Sequence, residues 1–151
     1  MGDGGILDAS FGFDFLADCI YRLLQQLGIP RIHIFATSYS SIIAYEFSAK
    51  YTSCVCQLVI SSSMASLPDP QKAVMQSCIQ ALENKDPDLF FKTFVQGVCH
   101  PVETIRNYAL SRKVMQRLVS ALSPRETAQF IENTRRVMLY RPPESSAAKI
   151  D

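Results

Sequence analysis

The segment Ala36-Thr37-Ser38-Tyr39-Ser40 combines residue types and spacing that could do chemistry. A serine with small side chains two residues before and two after it stands where an apolar run gives way to a helical repeat. A sharp turn there would lift the hydroxyl out of the backbone and present it for attack on an acyl carbon. Small neighbours are needed because such a turn brings adjacent backbone close, and Ala36 and Ser40 are small though neither is glycine. Serine is a weak nucleophile unaided, and requires a histidine to take its proton and a carboxylate to orient that histidine. Of the two histidines, His33 lies inside the apolar run and reads as a packed or hydrogen-bonded core residue. His100, beside Pro101 at an expected helix start, is not promoted to a base, and Asp69 reads as a helix cap.

The elements on either side must position Ser38. From Phe13 to Leu27 the apolar residues Phe15, Leu16, Cys19, Ile20, Leu23, Leu24 and Leu27 recur at three and four, predicting an amphipathic helix ended by Gly28. After Pro30, the run Ile32-His33-Ile34-Phe35-Ala36 predicts a short strand covered on both faces. The period then returns to three and four, with Ile42, Ile43, Tyr45, Phe47 and Ala49 on a helix ending near Lys50. Val55 to Ile60 predicts a second strand, and strand, helix, strand within about thirty residues is the length of a right-handed parallel crossover.

Beyond Ser61 to Ser66 the chain reads as helical. Asp69-Pro70, Asp86-Pro87 and Ser123-Pro124-Arg125-Glu126 mark three helix starts, the last with a capping-box glutamate. A further helix is predicted over about Glu103 to Leu122, and Arg141-Pro142-Pro143 stops the final one. The Phe and Met stripes on these helices read as core, and Arg135, Arg136 and Arg141 as a solvated helix end. No internal repeat is visible.

Composition narrows the function classes. The 151 residues are 48% hydrophobic, with 15 basic against 14 acidic side chains, which fits one globular domain at most. A net charge of +1 and a charged fraction of 19% leave no electrostatic footprint for nucleic acid or an anionic membrane. The longest uncharged stretch, Tyr51 to Pro68, is too rich in Ser, Thr and Gln to span a bilayer. No secretory signal is recognisable at Met1, so the expected location is cytoplasmic. The five cysteines Cys19, Cys54, Cys56, Cys78 and Cys99 lack zinc spacing and read as reduced core thiols, Cys54 and Cys56 sharing one face of a strand. No metal or cofactor is expected.

On these residues the chain resembles the α/β-hydrolase superfamily. Leu27-Gly28-Ile29, Ile32-His33-Ile34, Thr37-Ser38-Tyr39, Ala49-Lys50-Tyr51 and Leu58-Val59-Ile60 with Ser61 and Ser62 follow its pattern over about Asp8 to Met64. The resemblance implies an α/β class: a partial α/β-hydrolase fold, with few parallel strands and flanking helices in residues 1–66 and an all-helical cap or lid in residues 67–151. It implies that Ser38 is the catalytic nucleophile on a nucleophile elbow, and that the backbone N–H of Tyr39 is an oxyanion-hole donor. The implied activity is hydrolysis of an ester, thioester or related acyl bond. Serine in place of aspartate argues against dehalogenase or epoxide hydrolase chemistry. Phe90, Phe91, Phe94 and Tyr108 of the cap would line an apolar pocket for a small apolar acyl substrate.

The resemblance also sets an expectation of incompleteness. The family's acid and histidine follow the cap, and Ser61-Ser62-Ser63 stands where some members place the acid, so neither is recognisable. The chain therefore reads as a fragment or truncated member, with open sheet edges available to a partner or to self-association. Two alternatives stay open: a catalytically inactive hydrolase-like protein that acts by binding, and a small helical domain in which Thr37 to Ser40 is a polar turn.

Overall fold

Apolar residues spaced along α1 (Phe13–Gln26) bury Phe13, Ala17 and Leu24 on one side of the helix. The helix stops because Gly28 takes φ +66, which lets Gly28 N–H reach Gln25 O and Ile29 N–H reach Leu24 O. This is a Schellman closure, and glycine enters it without steric cost. The chain then runs through β1 (Ile32–Thr37), α2 (Tyr39–Lys50), a tight 3₁₀ turn (Thr52–Cys54) and β2 (Val55–Ser61). Four helices follow: α3 (Asp69–Glu83), α4 (Pro87–Val98), α5 (Tyr108–Ser120) and α6 (Pro124–Leu139). The computed structural model describes residues 5–63, 66–98 and 108–142. Cys99, His100 and the expected helix start at Glu103 lie outside them.

The described residues fall into two compact units, one within Ala9–Ser66 and Leu139–Asp151, the other within Met1–Asp8 and Leu67–Met138. In the first, β1 and β2 pair in parallel, from Ile32 opposite Val55 to Thr37 opposite Ser61. The register slips by one between Ile32 and His33, leaving Cys56 as an extra residue. Helix α2 packs on both strands and on α1. Ala17, Leu24, Phe47 and Cys54 form the centre of this unit's core, with Tyr21, Ile32, Ile34, Tyr51 and Val55 around them.

The opposite face of the sheet is open. Phe35 is 75% exposed and Val59, its partner across the strands, 53%. The expectation of a strand covered on both faces is therefore corrected: among the described residues the cover lies on one side. Cys54 is also corrected, since it sits buried in the turn before β2 while Cys56 is exposed on the strand. Core burial holds for Cys54 and Cys78 but not for Cys19 and Cys56. Desolvation pushes the Cys78 thiol up, against the opposing effect of its hydrogen bond with Thr93.

The second unit packs α3 on α4 and α4 on α5 around Cys78, Ile79, Ala81, Leu82, Phe90 and Ile131. Gly97 permits a close approach, because a Cβ there would fall 2.6 Å from Val74 Cγ1. Helix α4 is capped as expected, with Leu89 N–H donating to Asp86 Oδ1 at 2.9 Å. The capping box of α6 also forms, Glu126 N–H reaching Ser123 Oγ at 3.2 Å and Ser123 N–H reaching Glu126 Oε2 at 2.8 Å. Asp69 is not a cap: Pro68 holds that position, and Asp69 is already helical with its carboxylate 3.0 Å from Lys72 Nζ. The basic cluster is corrected at Arg136 alone, Arg135 and Arg141 being exposed as expected. Arg136 is 1% exposed, donating to Asn133 Oδ1 at 2.8 Å and to the carbonyls of Leu7 and Asp8 at 2.8 and 3.0 Å.

Candidate active site

Between the last residue of β1 and the first of α2 there is one residue, Ser38, with φ 54 and ψ −126. Such backbone angles are disfavoured for any side chain bearing a Cβ and cost on the order of 1–3 kcal/mol, so neighbouring bonds must hold the turn. They do. Ser38 N–H donates to Ser61 O at 3.1 Å, extending the ladder between the strands, and Ser38 O accepts from Ser41 N–H at 3.0 Å in the first turn of α2. Ser40 Oγ folds back on Thr37, accepting from its N–H at 3.1 Å and donating to its carbonyl at 2.8 Å. Ser41 is wholly buried and its hydroxyl donates to Ser61 O at 3.2 Å.

The Ser38 side chain is left outside this network. Serine at a helix N-cap ordinarily spends its oxygen on the N–H two or three residues on, yet here no such side-chain bond forms. The residue is exposed, and it stands at the positive end of α2, where developing negative charge is favoured. The ring of Tyr39 packs against Phe13 at 5.1 Å between centroids, and Phe13 against Tyr140 at 5.2 Å. Tyr140 OH donates to Glu46 Oε1 at 2.6 Å. Desolvation first, then that carboxylate, push the Tyr140 phenol far above its ordinary range, so it stays a donor.

No family model matches the chain, and no curated protein does. A solved structure does: MGS-M2, an α/β-hydrolase enzyme from a Medee basin deep-sea metagenome library, superposes with a TM-score of 0.75 at 18% identity. The match takes in 91% of this chain and 50% of that one, so the chain spans about half the length of the structure it resembles. This chain has a partial α/β-hydrolase fold. At such low identity the likeness speaks to the frame, and each site residue must be judged on its own geometry.

On the α/β-hydrolase frame, Ser38 and Tyr39 come together at the strand-to-helix turn where the spacing of Ala36 and Ser40 suggested. The other titratable residues do not join them. His33 is on β1, exposed rather than packed in the core, with Nδ1 3.0 Å from Gln57 Oε1. A proton on Nδ1 donates there. Among the described residues no hydrogen bond links Ser38 to a histidine or a carboxylate, and no group of three or more His, Cys, Asp or Glu gathers to hold a metal. No helix among them is long and apolar enough to cross a membrane. The aromatic residues expected to line a pocket pack against one another: Phe90 on Phe94 and Phe130, and Phe91 on Tyr108. The bond between Ser41 and Ser61 leaves no mark in the sequence, because it joins positions twenty apart through a main-chain oxygen.

Proposed function

We propose that the chain is the nucleophile-bearing part of an α/β-hydrolase-fold serine hydrolase acting on an ester, thioester or related acyl bond. The observation that carries this reading is Ser38 itself: a strained φ of 54 at a strand-to-helix turn, with a hydroxyl that the helix does not use as a cap. Ser38 Oγ attacks the acyl carbon, and the carbonyl oxygen gathers negative charge as the tetrahedral centre forms. The Tyr39 N–H and the N-terminal end of α2 stabilise that charge. The proton of Ser38 passes to a base, and a histidine oriented by a carboxylate is the group this chemistry calls for.

A fluorophosphonate probe with peptide mapping tests the reading on the 151-residue chain. Covalent labelling at Ser38 that is lost in Ser38→Ala is the expected outcome. Labelling is expected to be slower than in a complete serine hydrolase, because among the described residues no base reaches Ser38, and a chain left unlabelled after prolonged exposure to excess probe would remove the proposal.

A second reading is favoured by the open sheet face, where Phe35 is 75% exposed opposite Val59 at 53%. Under it the chain is a catalytically inactive hydrolase-like module that binds through the bare face of its two-stranded sheet. Its partner is a second copy, against which a net charge of +1 sets little repulsion.

A further inference from the structure

The turn at Ser38 is closed by a ring of bonds that begins and ends on one buried residue, Ser41. Ser61 O accepts twice, from Ser38 N–H at 3.1 Å and from Ser41 Oγ at 3.2 Å. Ser41 N–H in turn donates to Ser38 O at 3.0 Å. Both main-chain groups of Ser38 are thus tied to Ser41, one directly and one through the carbonyl that ends β2. Ser41 is 0% exposed, so no water competes for its hydroxyl.

A strained turn keeps its angles only where its surroundings over-determine them. Ala36 and Ser40 occupy the places where a glycine would relax the crowding, and Ser40 spends its hydroxyl on Thr37 rather than on Ser38. We infer that Ser41 is a positioning residue for Ser38: its buried hydroxyl pins the end of β2 to the first turn of α2 and so keeps Ser38 bent outward. The inference rests on the reading of Ser38 as the nucleophile for its purpose, but not for its geometry. Removing the Ser41 hydroxyl leaves Ser61 O with one donor and the turn with one tie fewer. An intramolecular hydrogen bond of this kind is worth roughly a five- to tenfold change in a local opening equilibrium.

Site-resolved amide exchange by NMR on the full chain, with the parent and Ser41→Ala, tests the geometry. The Ser38 N–H should exchange roughly five- to tenfold faster in the variant, while Ala44 and Phe47 amides further along α2 keep their parental rates. A change shared equally by all three amides, or no change at Ser38, would overturn the inference, because it would mark Ser41 as ordinary core. Should Ser41→Ala fail to fold by circular dichroism, Ser41→Cys keeps an atom in the same place with a weak donor and is judged by the same amides. Fluorophosphonate labelling separates the two readings: a labelling rate at Ser38 that falls in step with the faster exchange supports both. Faster exchange in a protein whose parent is never labelled supports the brace and ends the nucleophile reading.

Discussion

Ser38 holds angles that a glycine would adopt without strain, so the residue type there is costly to the fold unless its hydroxyl serves something. Ser38→Gly is expected to raise stability by about 1 kcal/mol in urea denaturation, relieving the Cβ crowding at φ 54. A loss of stability in that variant would mean that the side chain supports the turn rather than straining it. The position was legible in the sequence because small residues flank it and a short apolar run gives way there to a repeat of three and four. Its bracing was not legible. The partner of Ser41 is a main-chain oxygen on the next strand, and main-chain acceptors leave no mark on residue type. Arg136 was misread for the same reason, since its carbonyl partners Leu7 and Asp8 are far away along the chain.

Helices α1 and α2 are joined at one end by a polar cluster as well as by their apolar faces. Asp18 accepts from Lys50 Nζ and from Tyr51 OH, and the Tyr51 ring stacks on Tyr21 at 4.0 Å. The hydrogen bond from Lys50 first, and that from Tyr51 second, hold the Asp18 carboxyl below the usual range, while the same bond raises the Lys50 ammonium. A carboxylate whose pKa is depressed on folding stabilises the folded state above its unfolded pKa and loses that contribution as the pH falls through the folded value. Asp18→Asn should therefore melt below the parent at neutral pH, and the gap should close as the pH drops well under about 3.9. A gap that persists unchanged in acid would show that packing, not charge, is lost in the variant. These partly exposed groups are screened by water, so the difference is expected to be small. Periodicity located both helices to within a residue, but the two Asp-Pro pairs show its limit. Asp86 leaves a Schellman turn in which Lys85 takes φ 54, and is free to cap α4; Asp69 follows an extended Pro68 and starts inside α3. The same dipeptide thus does two jobs, decided by the backbone that precedes it.

Across the whole molecule, the parallel pair and its covering helices followed from the alternation of apolar runs, whereas the bareness of one sheet face did not. A continuous apolar strand predicts cover on both sides, yet what provides that cover is never written in the strand itself. If a second copy uses the bare face, Phe35→Lys should lower the dimer fraction in sedimentation velocity while leaving the melting temperature close to that of the parent, as a substitution at an exposed site does. An unchanged distribution would discard self-association through that face. The split of the chain into two units carries a further consequence through Arg136. Its guanidinium meets the carbonyls of Leu7 and Asp8 across separations of 129 and 128 residues. On a ribosome adding about 5–20 residues per second, the stretch holding Leu7 and Asp8 must wait on the order of ten seconds for the arginine that fastens it. The helical half thus cannot finish folding before residue 136 has been made.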